Sequence, residues 1–231
     1  MKHQGKAWSA FLGIFWRGLA VAAVLAAVLW VVGMVSGRGL SAPGLSTVAF
    51  LLVAFTAFSA YFFRDPEAKV PSGTGLVVAP GHGKVDVVDE IEEPQFIGGR
   101  AKRVSIFLSV FDVHVQQAPV AGKVAYLKHN PGQFLNALKL ESAALNENVV
   151  IGFEPTDPAG GRVAIKLITG LIARRIIPWA RVGDVVAKGE RISLIQFGSR
   201  VDIYLPTTWT VAVKLGDRVV GGETVVARTA A

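Results

Sequence analysis

The chain of 231 residues contains no cysteine. This absence excludes disulfide frameworks, thiolate metal sites, iron–sulfur clusters and cysteine nucleophiles. The four histidines, His3, His82, His114 and His129, are not paired at metal-ligand spacing, so we expect no metal site. The sequence also lacks the Gly-x-Ser-x-Gly, Walker and Gly-x-Gly-x-x-Gly patterns of common hydrolases and nucleotide-binding proteins. Any nucleophile must therefore be an oxygen or nitrogen atom.

Charged residues are also scarce, at 18% of the chain against 52% hydrophobic residues. This composition is too apolar for an ordinary soluble domain of this length. The net charge of +7 divides into +4 up to Gly75 and +3 after it, so the basic residues are not gathered in one tail. Without an Arg/Lys-rich helix or interleaved aromatic residues, this excess favours an anionic membrane surface as partner and argues against nucleic acid.

Two long runs near the N-terminus have no charged residue, at positions 18–37 and 40–63. Each is long enough to cross a hydrocarbon core of about 30 Å as a helix. The runs are separated by Arg38 and Gly39, which predicts a transmembrane or membrane-embedded helical hairpin over 18–63, preceded by a basic N-terminus over 1–17. Most flanking basic residues lie outside the hairpin, so both its ends should face the cytoplasm. We therefore expect a cell-membrane protein whose remaining chain is cytoplasmic. A cleaved signal peptide is disfavoured because the first run is too long.

The chain after a linker over 64–75 has the pattern of a mainly β (α+β) domain over 76–231. Short Val/Ile-rich runs bounded by Gly, Pro and Asp predict strands at 76–79, 84–88, 104–110, 122–127, 148–153, 163–167, 191–195 and 201–204. Residues 134–145 predict a short helix or an irregular crossing. Two near-repeats, 182–190 with 215–223 and 79–85 with 118–124, predict paired turn-and-strand units. Such units are typical of a barrel-sandwich-like fold, because glycine supplies the positive φ angles of its tight corners.

A Gly-Ser pair, Gly198 and Ser199, interrupts two of these strands. Glycine lacks the Cβ atom that would obstruct attack on its own carbonyl carbon. In a strained turn, the Ser199 hydroxyl could attack the Gly198 carbonyl and convert the amide to an ester, helped by a general base and by donors to the oxyanion. A plain turn is the alternative interpretation of this common dipeptide.

The residues around this pair resemble the cleavage motif of the short form of phosphatidylserine decarboxylase. The motif comprises Phe197, Gly198, Ser199, Arg200, Val201 and Asp202, followed by Tyr204, Leu205 and Pro206. Further segments resemble the same family in order: 62–66, 109–115, 118–120, Gly132, Phe134, Asn136, Ala137, 146–148 and 170–176. The resemblance covers roughly residues 60 to 206, and the membrane hairpin before them is consistent with it.

The resemblance implies a self-processing carboxy-lyase that converts phosphatidylserine to phosphatidylethanolamine and CO2 in phospholipid biosynthesis. Autocatalytic serinolysis between Gly198 and Ser199 would leave a β chain of residues 1–198 and an α chain of residues 199–231. Ser199 would become a covalent pyruvoyl group, which forms a Schiff base with the substrate amine and accepts electrons as CO2 departs. The implied partners are phosphatidylserine, anionic membrane lipid, and the two chains as a heterodimer.

The same resemblance assigns roles to further residues. His114 matches a histidine of the family and would be a proton donor or orienter near the substrate carboxylate. Asp112 is a substrate-binding candidate or, equally, a strand-end turn or salt-bridge residue. Arg200 could meet the substrate carboxylate or phosphate, or form an ion pair with Asp202. Arg174 and Arg175 suit phosphate head groups or an anionic interface, although both charges could simply extend from a strand to solvent.

One position departs from the family pattern. The family usually has Ala-Asp-Gly where this chain has Gly81, His82 and Gly83, and that aspartate is held to support the base of self-cleavage. A second histidine of longer family members corresponds to Gln117. We expect His82 to act as the general base, because an imidazole titrates near neutral pH.

Two other functions stay open from the sequence: a membrane-tethered barrel-sandwich adaptor, and an unprocessed pseudoenzyme that binds anionic lipid. Oligomeric state and acyl-chain or lipid-backbone preference also stay open.

Overall fold

The computed structural model describes residues 3–37, 42–136, 142–157, 160–171 and 175–229, with no side chain described at positions 42 and 142. The chain divides into two compact units. Gly5–Asp65 form a helical unit, and Pro66–Ala231 form a sheet-rich unit together with the first four residues. The expected combination of an N-terminal helical hairpin and a mainly β domain is confirmed.

The helical unit consists of α1 (Lys6–Val35) and α2 (Ala42–Phe62). Both helices are long and apolar enough to cross a membrane, and little of either apolar stretch is buried within the chain. Helix α1 begins twelve residues before the uncharged run, so Arg17 lies inside it. The helices pack closely at Gly18, where an added Cβ atom would lie 3.0 Å from the Phe55 ring. Arg38 and Gly39 of the predicted turn lie outside the described residues.

The sheet-rich unit contains fourteen strands and one short helix among its described residues. They are β1 (Leu76–Val78), β2 (Gly83–Glu93), β3 (Gly99–Leu108), β4 (Val115–Gln117), β5 (Ala121–Asn130), α3 (Ser142–Leu145), β6 (Asn148–Asp157), β7 (Val163–Thr169), β8 (Arg175–Pro178), β9 (Val185–Val186), β10 (Arg191–Gln196), β11 (Ser199–Leu205), β12 (Thr210–Val211), β13 (Arg218–Val219) and β14 (Val225–Arg228). Each predicted strand overlaps an observed strand. Residues 137–141 of the predicted helix or crossing lie outside the described part, and among its described residues only those of α3 are helical.

An eight-stranded sheet organises the unit, in the order β13-β2-β3-β11-β7-β6-β5-β9. Two three-stranded sheets, β1-β14-β12 and β4-β10-β8, complete it. Strand β11 lies at the centre of the large sheet, antiparallel to both β3 and β7. Its alternate residues Val201, Ile203 and Leu205 belong to the main buried core, because successive side chains of a strand point to opposite faces.

The two near-repeats form equivalent structures. Gly183 N donates to Val124 O and Gly216 N donates to Val85 O, both at 2.8 Å. Asp184 and Asp217 cap equivalent turns, accepting the backbone N–H groups of Arg181 and Lys214, respectively. Reciprocal bonds also join the repeats, from Val78 N to Pro119 O and from Gln117 N to Pro80 O, each 2.9 Å long. The repeated Gly-Asp and Ala-Pro sequences therefore specify two related halves that pair with each other.

Candidate active site

The Gly198–Ser199 bond lies where a left-handed turn enters the central strand. Phe197 has φ 65° and Gly198 has φ 77°, and Ser199 is the first residue of β11. A left-handed conformation is ordinary for glycine but unfavourable for phenylalanine. The Gly198–Ser199 bond therefore joins a sharp turn to the first residue of the central strand.

His114 forms a hydrogen bond with Gly198. Its Nε2 atom accepts a hydrogen bond from Gly198 N at 3.1 Å. Its Nδ1 atom lies 2.9 Å from the Asp112 carbonyl oxygen, which can only accept, so Nδ1 carries the proton. The imidazole is completely buried. His114 therefore presents its unprotonated nitrogen next to the Gly198–Ser199 bond.

The Gly198 carbonyl group, which a nucleophile would attack, is also held by a donor. Its oxygen accepts a hydrogen bond from Gly170 N at 3.2 Å. A backbone N–H aimed at a carbonyl oxygen stabilises the negative charge that develops there during attack. Gly170 thus occupies the position of an oxyanion donor.

The Ser199 hydroxyl is completely buried and has no hydrogen-bond partner among the described residues. Burying an unpaired hydroxyl is costly, and a hydroxyl that served only a turn would usually be satisfied by the turn itself. The hydroxyl is therefore consistent with the precursor of a pyruvoyl group at position 199. The neighbouring Gly198 contacts His114 Nε2 through its N–H and Gly170 N through its carbonyl oxygen.

A cavity of about 300 Å³ opens at this bond. It is lined by Phe107, Leu108, Ser109, Val110, Asn136, Gly170, Leu171, Phe197, Gly198 and Ser199. Its walls are mainly apolar, and only three of these described lining side chains carry polar atoms. Such a pocket offers apolar surface to a ligand and a few polar groups that can orient it.

Arg200 points to the opposite face of β11 and is almost completely buried. Its two terminal nitrogens pair with the two carboxylate oxygens of Asp86 on β2, at 2.7 and 2.5 Å. This fork-to-fork geometry is the strongest form of an arginine–carboxylate pair. Arg200 therefore ties the start of β11 to β2, across β3, through a partner that the sequence analysis missed.

Asp202 shares that face, directly between Ser105 on β3 and Lys166 on β7. Burial raises the pKa of the Asp202 carboxyl, opposed by a hydrogen bond from Ser105 and by the charges of Arg200, Arg103 and Lys166. Burial also lowers the pKa of Lys166. A compact group of opposite charges thus lies beneath the active-site turn.

Asp112 is built into a turn. Its Oδ2 atom accepts hydrogen bonds from Ser109 N at 2.9 Å and Ser109 Oγ at 2.7 Å, and its Oδ1 atom accepts one from Arg218. The carboxylate therefore fixes the loop between β3 and β4, which carries His114 at its end. This geometry corresponds to the turn and salt-bridge interpretation of Asp112.

The remaining predicted site residues are Arg174, Arg175 and His82. Arg175 is exposed and pairs in register with Gln196, immediately before Phe197. Arg174 lies outside the described residues. His82 is partly buried against Gly221, where an added Cβ atom would lie 3.0 Å from the His82 ring and 2.3 Å from Gln117 Oε1. His82 makes no hydrogen bond to the Ser199 hydroxyl in this structure, because that hydroxyl has no partner among the described residues.

Sequence reasoning missed two contributors to the site, Gly170 and Asp86. Gly170 belongs to a segment that resembles the family, but nothing in the sequence indicates that its N–H reaches the Gly198 carbonyl. Asp86 is one of several acids on β2, and only the pairing of strands identifies it as the partner of Arg200. Within the described part of the chain, no three His, Asp or Glu side chains gather as a metal site.

Comparison with known proteins gives one consistent result. The family model described as phosphatidylserine decarboxylase matches residues 55–227. The chain is 48% identical over 178 residues to the phosphatidylserine decarboxylase proenzyme of Symbiobacterium thermophilum, covering 77% of this chain and 82% of that protein. It is 40% identical over 215 residues to the proenzyme of the same name from Pelobacter propionicus, covering 93% and 96% of the two chains. The Erythrobacter litoralis proenzyme is also 40% identical, over 98% of this chain and 92% of that protein.

Proposed function

The chain belongs to the phosphatidylserine decarboxylase family, and we propose that Gly198 and Ser199 form its self-processing and catalytic centre. As a member of this family, it is a carboxy-lyase that converts phosphatidylserine to phosphatidylethanolamine and CO2. The observation that carries the proposal is the buried Ser199 hydroxyl, which has no partner among the described residues and lies beside a carbonyl that accepts the Gly170 N–H.

Self-processing begins with attack of Ser199 Oγ on the Gly198 carbonyl carbon. The Gly170 N–H stabilises the oxyanion, and the amide nitrogen leaves as the amine of Ser199, so an ester replaces the amide. Loss of the Ser199 α proton then breaks the ester Cβ–O bond, which releases the Gly198 carboxylate and leaves a dehydroalanine. Its imine tautomer reacts with water to give ammonia and the pyruvoyl group. The products are the β chain 1–198 and the α chain 199–231.

His114 is the residue that we propose moves the protons of these steps. Its Nε2 atom is unprotonated and contacts the backbone N–H of Gly198, the residue that precedes the nucleophile, which suits a general base. We retain His82 as a second candidate base for self-cleavage. Its surroundings at Gly221 and Gln117 favour a supporting role.

A pyruvoyl group at position 199 supplies an electrophilic carbonyl that accepts the electron pair left by departing CO2. The apolar walls of the cavity, including Phe107 and Val110, keep water from the reacting carbon. Ser109 and Asn136 are the other polar lining residues and would orient the head group. His114 Nε2 would return a proton to the product carbon.

We assign the remaining candidates by their surroundings. Arg175 is exposed beside the turn and would meet a phosphate or an anionic interface, together with Arg174. Arg200 is a positioning residue for β11, because it forms a buried ion pair with Asp86. Asp112 has the same kind of role for the loop that carries His114.

We further propose how the protein is arranged in the cell. The two apolar helices suggest membrane association, and the distribution of basic residues supports a cell-membrane hairpin over 18–63 with both ends in the cytoplasm. The decarboxylase domain over 76–231, joined by the linker 64–75, would then act on the cytoplasmic face. The mature enzyme would be a heterodimer of its α and β chains.

Intact mass spectrometry of the purified full chain tests the centre. We expect two polypeptides, the smaller beginning at position 199 with a pyruvoyl group in place of serine. Ser199→Ala should abolish cleavage because it removes the nucleophile. His114→Gln should slow it by about a hundredfold or more, the usual contribution of a general base. A single uncut wild-type chain would overturn the proposal and favour the lipid-binding pseudoenzyme.

The matched variant His82→Ala decides which histidine is the base. If His114 alone moves the protons, His82→Ala cleaves at close to the wild-type rate. A loss in His82→Ala as large as that in His114→Gln would return the role of base to His82.

A further inference from the structure

The cavity at Ser199 is too small for a whole phospholipid. A volume of about 300 Å³ is at the lower limit of ordinary small-molecule pockets. It accommodates a polar head group, and two acyl chains must remain outside it. The surface around the cavity therefore decides where those chains lie.

Three exposed apolar residues line this cavity or adjoin a lining residue in sequence, and we name them the lip. Leu171 lines the cavity and is 61% exposed. Phe111 follows the lining residue Val110 and is 64% exposed, and Leu135 precedes the lining residue Asn136 and is 38% exposed. Large apolar side chains grouped at a cavity are typical of an interaction surface.

Buried polar side chains fix the backbone of the lip. Asn146 exchanges two hydrogen bonds with the backbone of Leu135, at 2.8 and 2.9 Å, and donates a third to Thr169 O at 2.7 Å, two residues before Leu171. Asp112 holds the loop of Phe111 through Ser109. Buried hydrogen bonds therefore fix the backbone of residues whose apolar side chains are exposed. Exposure of apolar side chains to water is unfavourable unless another surface covers them.

Exposed cations lie near residues of the cavity and of the lip. Arg175 is exposed opposite Gln196, and Lys84 is exposed opposite the lining residue Phe107. Arg218, whose side chain is 70% exposed, reaches Asp112 next to Phe111. Cations around an apolar surface complement the phosphates and the acyl region of an anionic bilayer.

We propose that Phe111, Leu135 and Leu171 enter the interfacial layer of an anionic bilayer. The head group then enters the cavity while its acyl chains stay in the membrane. This inference rests on the proposed function, because it takes the substrate to be a membrane phospholipid. It adds a second membrane contact, made by the sheet-rich unit itself.

Site-specific labelling tests the proposal directly. Because the chain has no cysteine, a single introduced cysteine is its only thiol. The full-length variants Phe111→Cys and Leu171→Cys, each carrying an environment-sensitive fluorophore, are reconstituted in vesicles of equal parts phosphatidylglycerol and phosphatidylcholine. We expect blue-shifted emission that a lipid-borne spin label quenches. Leu215→Cys and Val185→Cys, at similarly exposed positions outside the lip, should emit as in water.

A kinetic ratio provides the second readout. Phe111→Ser should lower the ratio of the rate on phosphatidylserine in vesicles to the rate on a dissolved short-chain phosphatidylserine. The expected fall is roughly tenfold, as for one large apolar side chain that is no longer buried. Leu215→Ser should leave the ratio unchanged. If lipid-borne quenchers do not reach the labels at Phe111 and Leu171, the proposed membrane insertion of the lip is wrong, while the decarboxylase function stands. An uncleaved, inactive wild type would instead overturn the proposed function.

Discussion

Phe197 is a non-glycine residue with a left-handed backbone at the active site. Such a conformation costs of order 1–3 kcal/mol and persists only where the surroundings impose it. Here it directs Gly198 N toward His114 and the Gly198 carbonyl toward Gly170 N. The Phe197 side chain also lines the cavity. We infer that this side chain locks the turn in the conformation needed for attack by Ser199.

Phe197→Gly should therefore stabilise the turn locally and still slow self-cleavage. Glycine removes the left-handed penalty of order 1–3 kcal/mol, but it frees the turn to leave the reactive geometry. Loss of orientation should lower the cleavage rate by roughly tenfold. Denaturing gels sampled after synthesis measure the rate, and Phe197→Leu serves as the control that keeps a large side chain and the strain. Cleavage of Phe197→Gly at the wild-type rate would contradict the role given to Phe197.

The two faces of strand β11 lie in different environments. Ser199, Val201 and Ile203 share one face, whereas Arg200 and Asp202 lie on the other, which carries the buried charges. Burial raises the pKa of Asp202, so the folded protein retains a proton that the unfolded chain releases near the ordinary carboxyl pKa. By linkage, the free energy of unfolding falls as the pH rises from the unfolded pKa to the folded pKa.

Asp202→Asn should remove this pH dependence. Asparagine keeps an oxygen that can accept the Tyr204 hydroxyl, which donates to Asp202 Oδ2 at 3.2 Å, and it has no charge to bury. Each pH unit between the unfolded and folded pKa shifts the stability difference in favour of the variant by about 1.4 kcal/mol. Thermal unfolding of the Ser199→Ala proenzyme, with and without Asp202→Asn, measures the difference across a pH series. A constant difference at all pH values would mean that Asp202 does not titrate in this range.

At the scale of elements, the sequence predicted where the longer strands lie, but it did not predict which strands pair with each other. The runs at 104–110 and 201–204 could be recognised because Val and Ile alternate or cluster between turn residues. Strands β9, β12 and β13 have two residues each, too few to show any period. The ion pair of Arg200 with Asp86 depends on β2 and β11 both flanking β3, which a single sequence does not encode locally. His114 and Ser199 could be identified by resemblance, but the donor Gly170 required the fold.

At the scale of the whole molecule, the cleavage point lies inside the sheet rather than in an outer loop. Strand β11 begins at Ser199 and pairs with β3 and β7 along its length. Farther along the chain, β13 pairs with β2 and β14 pairs with β1. The half that contains β1 and β2 is therefore completed by β14 and β13, which lie beyond the Gly198–Ser199 bond.

Cleavage should consequently leave the α chain in place. The 33 residues from Ser199 onward can separate only if β11 leaves the centre of the large sheet, which breaks the main core together with its backbone hydrogen bonds. Gel filtration of the cleaved protein in mild detergent should give one complex that contains both chains, while a denaturing gel gives two bands. The uncleaved Ser199→Ala variant is the matched control and should elute at the same volume. Release of the small chain without denaturant would show that β11 is not held by its two neighbours after cleavage.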